Sequence, residues 1–487
     1  MEEPVRRDFV EPDVFASLVA LDPAGPDTLV AQLYRGIRQA VLDGRLAAGE
    51  ALPSSRAAAG LLGVGRNTVN AAYDLLLAEG VIEVRPGARP RVAAMTRPAA
   101  PADNGPPRLS QRAAKAAVVL RRGLAEGPLA PGSPDPRLFP ADAWGRVLRR
   151  AARHRQDGAE GYAHFEGLPE LRQVLADQLH RHRGLVCAPE DIIVTPGTQA
   201  SLVLAAAAFA DPGEVALVES PGYIGARAAF EAAGLTCRAL PVDGTGADPD
   251  RADLSDARLI YVTPTTQYPT GVRLPMQRRL GLLSAAQAAG AVIVEDDYDA
   301  EFLWEGRGIA ALAALPGAGH VVYLGSAAKS LLPGLRLGWL VAPPGSAPAL
   351  RAIQARLGLA ANVHAQAALA EFMASGGYRA HLAAISAAYR DRLALVTGAL
   401  SDRLGARARL SAPAGGLQIA IDLPELAEDQ TLRSRLNAEG FAVGALSDYC
   451  LDAPLTGLVV GFGTATEREA RRFAEALDRH LGPVEVA

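Results

Sequence analysis

Apolar residues between about positions 28 and 95 recur at the spacing of short helices. From Leu29 to Val41 an apolar residue falls every three or four positions, which is the period of an amphipathic helix. Two further runs of this kind begin at Ser, Asn or Thr and end at Gly, the residues typical of helix caps. A β-branched stretch, VIEVR, then precedes a Pro-Gly turn. This order predicts a winged helix-turn-helix. The predicted helices run over 29–43, from Ser54 or Ser55 to Gly63, and from Asn67 or Thr68 to Gly80. The predicted strands are VIEVR and Arg91–Val92.

A different pattern begins near Phe139 and continues to the end of the chain. Short β-branched runs alternate with stretches rich in Ala and Leu, which predicts an α/β domain with a mostly parallel sheet. The expected strands are DIIVTPG, EVALVESPG, RLIYVTP, AVIVEDDYD, HVVYLGS and RLGWLVAPP. Residues 96–137, between the two regions, are rich in Ala and Pro and are expected to form a linker with a short helix around 109–122.

Length and charge agree with this division. A chain of 487 residues corresponds to roughly three domains. The net charge is −4, yet residues 1–27 carry seven acidic and two basic residues, whereas residues 28–97 carry nine Arg and five acidic residues. A local positive excess in an acidic chain points to nucleic acid. We expect an N-terminal arm or tail over 1–27 with room for a short helix, a winged helix-turn-helix DNA-binding domain over 28–95, the linker over 96–137 and the α/β domain over 138–487.

Other classes of protein are disfavoured. With 49% apolar and 21% charged residues, the chain is not expected to be largely disordered. Apolar runs such as Leu202–Ala210 are too short to cross a membrane, and the N-terminus MEEPVRRDFVEPD lacks the apolar core of a signal peptide. Cys187, Cys237 and Cys450 are isolated, with neither zinc spacing nor a disulfide framework. We expect a cytoplasmic protein without a structural metal.

The first domain offers a set of groups suited to duplex DNA. The second helix of a helix-turn-helix presents its first residues to base edges in the major groove, where Arg reads guanine and Asn reads adenine. The start of the preceding helix is suited to phosphate. The alternative is a protein-interaction module with a solvated Arg face. The candidate DNA-binding residues are Ser55 and Arg56, then Arg66, Asn67, Thr68 and Asn70, then Arg85 with Arg89 and Arg91 in the wing.

This segment resembles the GntR-type winged helix-turn-helix family over residues 28–92. The matching stretch is LYRGIRQAVLDGRLAAGEALPSSRAAAGLLGVGRNTVNAAYDLLLAEGVIEVRPG. The resemblance implies DNA contacts from the Arg of SSR, from the first residues of the recognition helix and from the wing. Gly65 stands where Ser is common, and the wing reads RPGARPRV in place of a Gly-Ser-Gly tip.

Lysine is nearly absent from the chain. Of 49 basic residues only Lys115 and Lys329 are lysines. Arg is always protonated in proteins, whereas a Lys amine can lose its proton and act as a nucleophile. Lys329 follows a β-branched strand and precedes a Gly-rich segment, a setting in which its pKa can fall and its amine can capture an aldehyde.

Two strand ends supply further chemistry. AVIVEDDYDAEF places carboxylates where α/β folds bind ligands, and a carboxylate beside a pyridine nitrogen keeps that nitrogen protonated. TPGTQAS offers backbone amides and the Thr198 hydroxyl at a strand-to-helix turn, which suits phosphate. Taken singly, the acidic cluster also fits Mg²⁺ or plain solvation, and the turn is commonplace. Together with Lys329 they are the parts of a site for pyridoxal 5′-phosphate (PLP).

Most of the chain resembles the MocR/GabR class of regulators, in which a GntR-type domain is fused to a fold type I aminotransferase-like domain. The motifs, in order, are EGLPELR, VTPGTQASL, ESPGYIGAR, YVTPTTQYPTGV, VEDDYDAEF and YLGSAAKSLLPGLRLGW. The resemblance implies an α+β winged helix-turn-helix, then an α/β PLP-dependent transferase fold with a smaller C-terminal α+β subdomain. It also implies a homodimer, with domain swapping as one arrangement. By position it implies Lys329 as the Schiff-base residue, Asp296 at the pyridine nitrogen with Asp297 as its competitor, Tyr298 at the phenolic oxygen, Tyr223 on the ring, and Thr198, Gln199, Ser326 and Arg336 at the phosphate.

Several positions depart from the family pattern. Thr265 and Thr266 replace a common Ser-His pair, and Ala328 replaces a Ser before the lysine. Many aminotransferases bind the substrate carboxylate with an Arg near the C-terminus, where this chain has Val459. The remaining departures are Gly225, where some members carry an Arg, and Arg227, a substitute anchor or a structural residue.

The leading hypothesis is therefore a transcriptional regulator, not an enzyme, that binds DNA through residues 28–92 and PLP through Lys329. Its effector would be PLP itself, or an amine or amino acid that reacts with bound PLP. An active aminotransferase with an appended DNA-binding domain is the alternative, and an interaction protein with an empty vestigial pocket is a third.

Overall fold

The computed structural model describes residues 9–94, 108–114, 127–154, 164–299, 301–302 and 308–482. The chain forms two compact units, Met1–Arg108 and Leu109–Ala487. Lys115 and most of the helix predicted around 109–122 lie outside the described residues.

In the described residues, four helices and a hairpin form the first unit around one apolar core. The Thr28 and Ser54 side chains cap the second and third helices by accepting hydrogen bonds from backbone amides. Gly63 ends the third helix in the left-handed conformation, with φ of 65°, which makes the tight turn into the next helix. The winged helix-turn-helix prediction is confirmed. The elements are α1 Pro12–Leu18, α2 Leu29–Leu42, α3 Ser55–Leu62, α4 Arg66–Ala78, β1 Ile82–Glu83 and β2 Arg91–Val92.

The predicted arm over 1–27 is wrong for the residues described. Val10, Phe15 and Val19 are buried in the same core as α2 and α4. Val19 packs against Gly36 of α2, where a side chain would meet the Val19 methyl groups at 3.2–3.4 Å. The acidic surface residues of this segment suggested a tail, but three apolar side chains on its inner face bind it to the unit.

An eight-stranded sheet is the centre of the second unit. Its strand order is β3-β10-β9-β8-β7-β4-β5-β6, and every pairing is parallel except those of β10 and β6. All six predicted runs are strands. The eight-residue strand TCRALPVD and its two-residue neighbour were not predicted. The strands are β3 Ile192–Thr195, β4 Val215–Ser220, β5 Thr236–Asp243, β6 Gly246–Ala247, β7 Ala257–Val262, β8 Val292–Asp296, β9 Val321–Ser326 and β10 Gly338–Val341.

Helices cover both faces of this sheet. Because successive strand residues point to opposite faces, Ile192 and Val194 join one apolar cluster, while Ile193 joins another. Among the described residues no helix is long and apolar enough to cross a membrane. The helices of this part are α5 Ala141–His154, α6 Pro169–Arg183, α7 Thr198–Phe209, α8 Ile224–Ala233, α9 Met276–Ala289, α10 Ala347–Leu357, α11 Val363–Ala374 and α12 Gly377–Leu404.

A smaller α+β subdomain follows, as expected. Its antiparallel sheet has the order β11-β12-β14-β13 and shares a core with its two helices and α12. The elements are β11 Arg409–Leu410, β12 Gln418–Asp422, α13 Asp429–Ala438, β13 Gly444–Ala445, β14 Gly457–Gly461 and α14 Glu467–Leu481.

The last part of the predicted linker, residues 127–137, belongs to the second unit instead. Leu129 is fully buried in the core of the small subdomain, and its carbonyl accepts a hydrogen bond from the Gly461 amide at 2.8 Å. Asp135 is buried and paired with Arg137 and Arg392. The Pro and Gly residues that suggested a linker here shape a tightly packed segment, in which Gly127 and Gly132 adopt positive φ.

Candidate functional site

The carboxyl edge of the large sheet collects most of the predicted cofactor residues. Gly338, at the start of β10, lies opposite Thr195 at the end of β3 and opposite Ser326 at the end of β9. Three strand ends therefore meet in one row, and β8 ends beside them at Asp296. This is the edge at which α/β folds bind ligands.

A turn suited to an anion follows β3. Gly197, with φ of 95°, is the N-cap of α7, so Thr198 and Gln199 are its first two residues. The turn fits closely against β10, since a β-carbon on Gly338 would lie 2.9 Å from the Gly197 carbonyl carbon. The Arg336 guanidinium carbon would lie 3.4 Å from a β-carbon on Gly197. Free amides at a helix start beside a guanidinium form an anion site.

Two other predicted phosphate residues already have partners. The Gln199 side chain donates to the Gly225 carbonyl at 3.0 Å. The Ser326 hydroxyl accepts from the Ala328 amide at 3.1 Å, which directs it at the start of the loop that carries Lys329. Ser326 thus lies at the carboxyl edge of the sheet, whereas the Gln199 side chain is hydrogen-bonded to the backbone at Gly225. The phosphate roles of these residues stay predictions.

The Lys329 amine meets the segment that was predicted as linker. Its Nζ donates to the Gly132 carbonyl at 2.6 Å, and Gly132 adopts φ of 64° there. Burial lowers the pKa of the Lys329 ammonium, and the charges of Asp299 and Asp296 oppose this lowering. A desolvated amine of this kind is suited to act as a nucleophile.

Asp296 has an oxygen available for a ligand. The Tyr261 hydroxyl donates to its Oδ2 at 2.8 Å, whereas its Oδ1 has no hydrogen-bond partner among the described residues. Burial raises the pKa of the Asp296 carboxyl to about 7. A buried acceptor without a partner is unfavourable unless a bound group supplies the missing donor.

Asp297 is fully engaged elsewhere. Arg183 Nε lies 2.7 Å from its Oδ2, and the Tyr323 hydroxyl donates to the same oxygen at 2.8 Å. Arg183 also donates to the Thr265 hydroxyl at 2.6 Å, so Thr265 belongs to this buried network. The sequence left open which of the two carboxylates would face the pyridine nitrogen. Of the two, Asp296 has an oxygen without a hydrogen-bond partner among the described residues.

Aromatic residues line the same edge. Tyr268 packs edge-on against Tyr223 at 5.6 Å and against Tyr298 at 5.8 Å between ring centroids. The Tyr298 hydroxyl donates to the Thr266 carbonyl at 3.2 Å and accepts from Gln418 at 3.0 Å. The Tyr223 ring occupies the space over Gly225, where a β-carbon would lie 2.4 Å from it. An Arg at position 225 would therefore require a different position of the Tyr223 ring.

The two positions considered for a carboxylate anchor are not free cations. Val459 is fully buried in β14. Arg227 is paired with Glu231 one helical turn away, at 2.8 Å. Within the described ranges no cluster of His, Cys, Asp and Glu could hold a metal ion.

Sequence reasoning missed Gly132, Gln418, Asp299 and Arg183 at this site. Gly132 lay in a Pro-rich stretch that was interpreted as linker, and Gln418 lies far along the chain on β12. The signal for Asp299 was present in EDDYD but was assigned to the preceding carboxylates. Arg183 ends the run HRHR, in which nothing distinguishes a buried side chain from exposed ones.

The buried carboxyl groups predict a pH dependence of stability. Burial raises the pKa values of Glu219, Asp296 and Glu301 to about 7. From about pH 4 to 7 the folded protein holds protons that the unfolded chain releases, so stability decreases as pH rises through this window. We expect the thermal unfolding midpoint of the cofactor-free protein to fall by several degrees between about pH 5 and 8. Asp296→Asn should weaken this dependence, and a midpoint that rises with pH would contradict it.

In the first unit the predicted DNA-binding residues lie at the starts of α3 and α4 and in the segment between β1 and β2. The Arg66 Nε donates to the Ser55 hydroxyl at 3.3 Å, which brings the starts of α3 and α4 together. Arg56, Asn67, Asn70 and Arg85 are exposed, and Thr68 is half-buried. In the wing, Arg89 stacks on Phe9 at 4.8 Å and Arg91 bonds the Gly49 carbonyl, so both already have intramolecular partners.

Family comparisons agree with both units. Residues 29–92 match the bacterial regulatory proteins of the gntR family, and residues 132–477 match the aminotransferases of class I and II. The match includes residues 132–137, which were predicted as linker.

The individual proteins that resemble this chain include transcriptional regulators of similar sequence and aminotransferases of similar structure. The chain is 34% identical over 468 residues to the probable rhizopine catabolism regulatory protein MocR of Rhizobium meliloti, covering 94% of this chain and 95% of that protein. It is 34% identical over 438 residues to the HTH-type transcriptional regulator TauR of Rhodobacter capsulatus, covering 87% and 90%. Among solved structures, an archaeal alanine:glyoxylate aminotransferase superposes with a TM-score of 0.68 at 27% identity, covering 77% of this chain and 95% of that one.

Proposed function

Because this chain belongs to the MocR/GabR-type transcriptional regulators, with a GntR winged helix-turn-helix and a fold type I aminotransferase-like domain, we propose that it regulates transcription in response to a ligand captured at Lys329. The observation that carries the proposal is the pairing, in one chain, of an exposed recognition helix with a desolvated lysine at a sheet edge.

The residues at that edge fit PLP. Its phosphate would be held by the α7 start with Thr198 and Arg336, and its ring nitrogen by the free Oδ1 of Asp296. Tyr298 and Tyr223 would contact the phenolic oxygen and the ring face. When bound, PLP supplies an aldehyde that captures amines and a ring that withdraws electrons. Lys329 would supply the attacking amine, and burial keeps a larger fraction of it unprotonated.

We propose a sensor and not a metabolic aminotransferase. An aminotransferase acting on amino acids needs an anchor for the substrate carboxylate, and position 459 carries a buried valine. Arg227, the substitute considered, is already paired with Glu231. The effector is then PLP itself or an amine that reacts with it, and its binding must favour one of two conformations to change DNA binding.

The proposal includes a homodimer that acts on cytoplasmic DNA. A dimer would pair two recognition helices, which predicts an operator with two half-sites. The N-terminal unit supplies one recognition helix per chain, α4. Domain swapping of the N-terminal unit is one arrangement of such a dimer.

The decisive experiment maps the promoter bound by the full chain, with and without PLP. We expect protection of two half-sites whose affinity or extent changes when PLP is added. In parallel, the protein is mixed with amino acids and a keto acid acceptor. Sustained turnover at the rate of a metabolic enzyme, together with protection that PLP does not alter, would overturn the proposal in favour of an aminotransferase.

Substituting Arg66 tests the DNA-binding surface. Arg66→Ala removes an exposed guanidinium at the start of α4, and we expect affinity for the mapped operator to fall by about 5- to 150-fold, the loss of about 1–3 kcal/mol. Arg35→Ala is the matched control, since Arg35 is also an exposed arginine but pairs with Asp27, two residues before α2 begins. Fluorescence anisotropy at fixed salt measures both. Equal losses in the two variants would contradict sequence-specific contact by Arg66.

A further inference from the structure

Three buried side chains with unpartnered oxygens surround Gly416. Asp299, Gln418 and Thr266 are each at most 1% exposed. Within the described part of the chain, Gln418 Oε1 and the Thr266 hydroxyl have no hydrogen-bond partner, and neither oxygen of Asp299 makes a hydrogen bond of good geometry, although the Tyr298 hydroxyl lies near it. A β-carbon on Gly416 would lie 2.8 Å from Asp299 Oδ2, 3.3 Å from the Gln418 amide nitrogen and 3.4 Å from the Thr266 methyl group. The three side chains are therefore neighbours around one glycine.

This cluster adjoins the Lys329 amine. A β-carbon on Gly132 would lie 3.2 Å from Lys329 Nζ and 3.6 Å from Gln418 Oε1, so the amine and the orphan amide oxygen share one small space. Asp299 also opposes the lowering of the Lys329 pKa, more strongly than Asp296 does. A ligand amine that reaches the position of Lys329 Nζ would have these acceptors within reach of its other end.

The cluster lacks positive charge of its own. Burial raises the pKa of Asp299 well above its usual range, and the acidic neighbours Asp297, Glu301 and Asp296 raise it further, while the nearby Tyr298 hydroxyl opposes the rise. The only cation that contacts Asp297 in the described residues, Arg183, is committed to that carboxylate. A bound ammonium would favour the ionised form of Asp299, whereas a ligand carboxylate would meet further acidic groups without a cation to pair with, so the site favours a cationic hydrogen-bond donor.

We propose that Asp299, Gln418 and Thr266 form a second recognition subsite, which selects amine ligands whose far end is an ammonium or another hydrogen-bond donor over ligands that end in a carboxylate. This proposal rests on the proposed capture of amines at Lys329 and names the class of ligand. A bound ammonium would satisfy the orphan oxygens that are otherwise left unpaired, so discrimination should be large.

Four ligands of equal chain length test the subsite: 1,4-diaminobutane, 4-aminobutanol, butylamine and 4-aminobutanoate. Each is titrated into the PLP-loaded full chain, and the change in cofactor absorption gives an apparent Kd. We expect the diamine to bind at least about tenfold more tightly than butylamine, the amino alcohol to lie between them, and the carboxylate to bind most weakly.

Variants assign the effect to the subsite. Asp299→Asn should reduce the advantage of the diamine over butylamine to within about twofold, and Gln418→Leu should reduce it partly. Asp422→Asn is the control, because Asp422 lies at the other end of β12 with its side chain 45% exposed and should leave the advantage unchanged. Gln418→Leu also decides the matter if Asp299→Asn does not fold, since an unchanged advantage in Gln418→Leu would overturn the proposal.

The outcomes separate this inference from the function on which it rests. Equal binding of diamine and butylamine, or tightest binding of 4-aminobutanoate, would overturn the subsite while leaving PLP binding intact. Failure of the wild-type protein to develop any cofactor absorption would overturn the proposed function and the subsite together.

Discussion

Lys329→Ala should abolish covalent attachment of PLP to the protein. The chain has only one other lysine, and a methyl group cannot replace the amine that Gly132 now contacts at 2.6 Å. We expect the absorption of the covalent adduct to disappear and no cofactor to remain on the chain after borohydride reduction, as measured by mass spectrometry. The response of DNA binding to PLP should be lost with it, whereas DNA binding without PLP should persist.

Lys115→Ala is the matched control for that experiment. It removes the other lysine side chain, at a position assigned no role in the site, and should retain the full absorption and the adduct mass. The rarity of lysine makes the pair unusually clean, because the N-terminal amine is then the only remaining competitor. Adduct formation in Lys329→Ala that is lost in the double variant would mean that Lys115 is the reactive lysine.

The strands that line the site were predictable from composition because each is a short β-branched run bounded by Gly or Pro. β5 was not, since Pro241 and Arg238 interrupt its pattern, and it tolerates a proline because only the two-residue β6 lies beyond it. The helix-turn-helix was predictable to within a residue or two because caps at Ser54 and Gly63 mark its turn.

Contacts between distant segments were beyond the sequence. Gly132 and Lys329 are 197 positions apart, and no local pattern reveals that one carbonyl meets the other's amine. Charge misled the assignment of residues 1–27, because acidic residues dominate the composition of this segment although Val10, Phe15 and Val19 are buried. In both cases the local composition or charge suggested exposure to solvent, but it did not indicate which distant residues the fold brings into contact with the segment.

The adjacent carboxylates illustrate the same limit. Asp296 is the last residue of β8 and Asp297 is the next residue, and which of the two keeps a free oxygen depends on Arg183, 114 positions from Asp297. The partner that neutralises Asp297 comes from the end of α6, and the Tyr261 hydroxyl that orients Asp296 comes from β7. We therefore expect Asp297 to stabilise the fold and Asp296 to bind the cofactor, and substitutions should separate these two roles.

Asp297→Asn should destabilise the fold by about 3–5 kcal/mol, because it leaves the Arg183 guanidinium buried without its counter-charge. Asp296→Asn should leave the stability of the cofactor-free protein unchanged or higher near neutral pH, since it removes a carboxyl group whose pKa burial raises to about 7. Urea unfolding at about pH 7.5, without cofactor, measures both variants against the wild type.

For cofactor affinity we expect the reverse, with a larger loss in Asp296→Asn than in Asp297→Asn. Asp296→Asn deprives the pyridine nitrogen of its charged partner, and we expect PLP to bind about 10- to 150-fold more weakly, the loss of a charge-assisted hydrogen bond of about 1.5–3 kcal/mol. Asp297→Asn, at temperatures where it stays folded, should bind PLP within a few fold of the wild type, because its oxygens already belong to Arg183 and Tyr323. A strong loss of PLP in Asp297→Asn with a stable fold would reverse the assignment, since the carboxylate that holds the ring would then be the one that Arg183 neutralises.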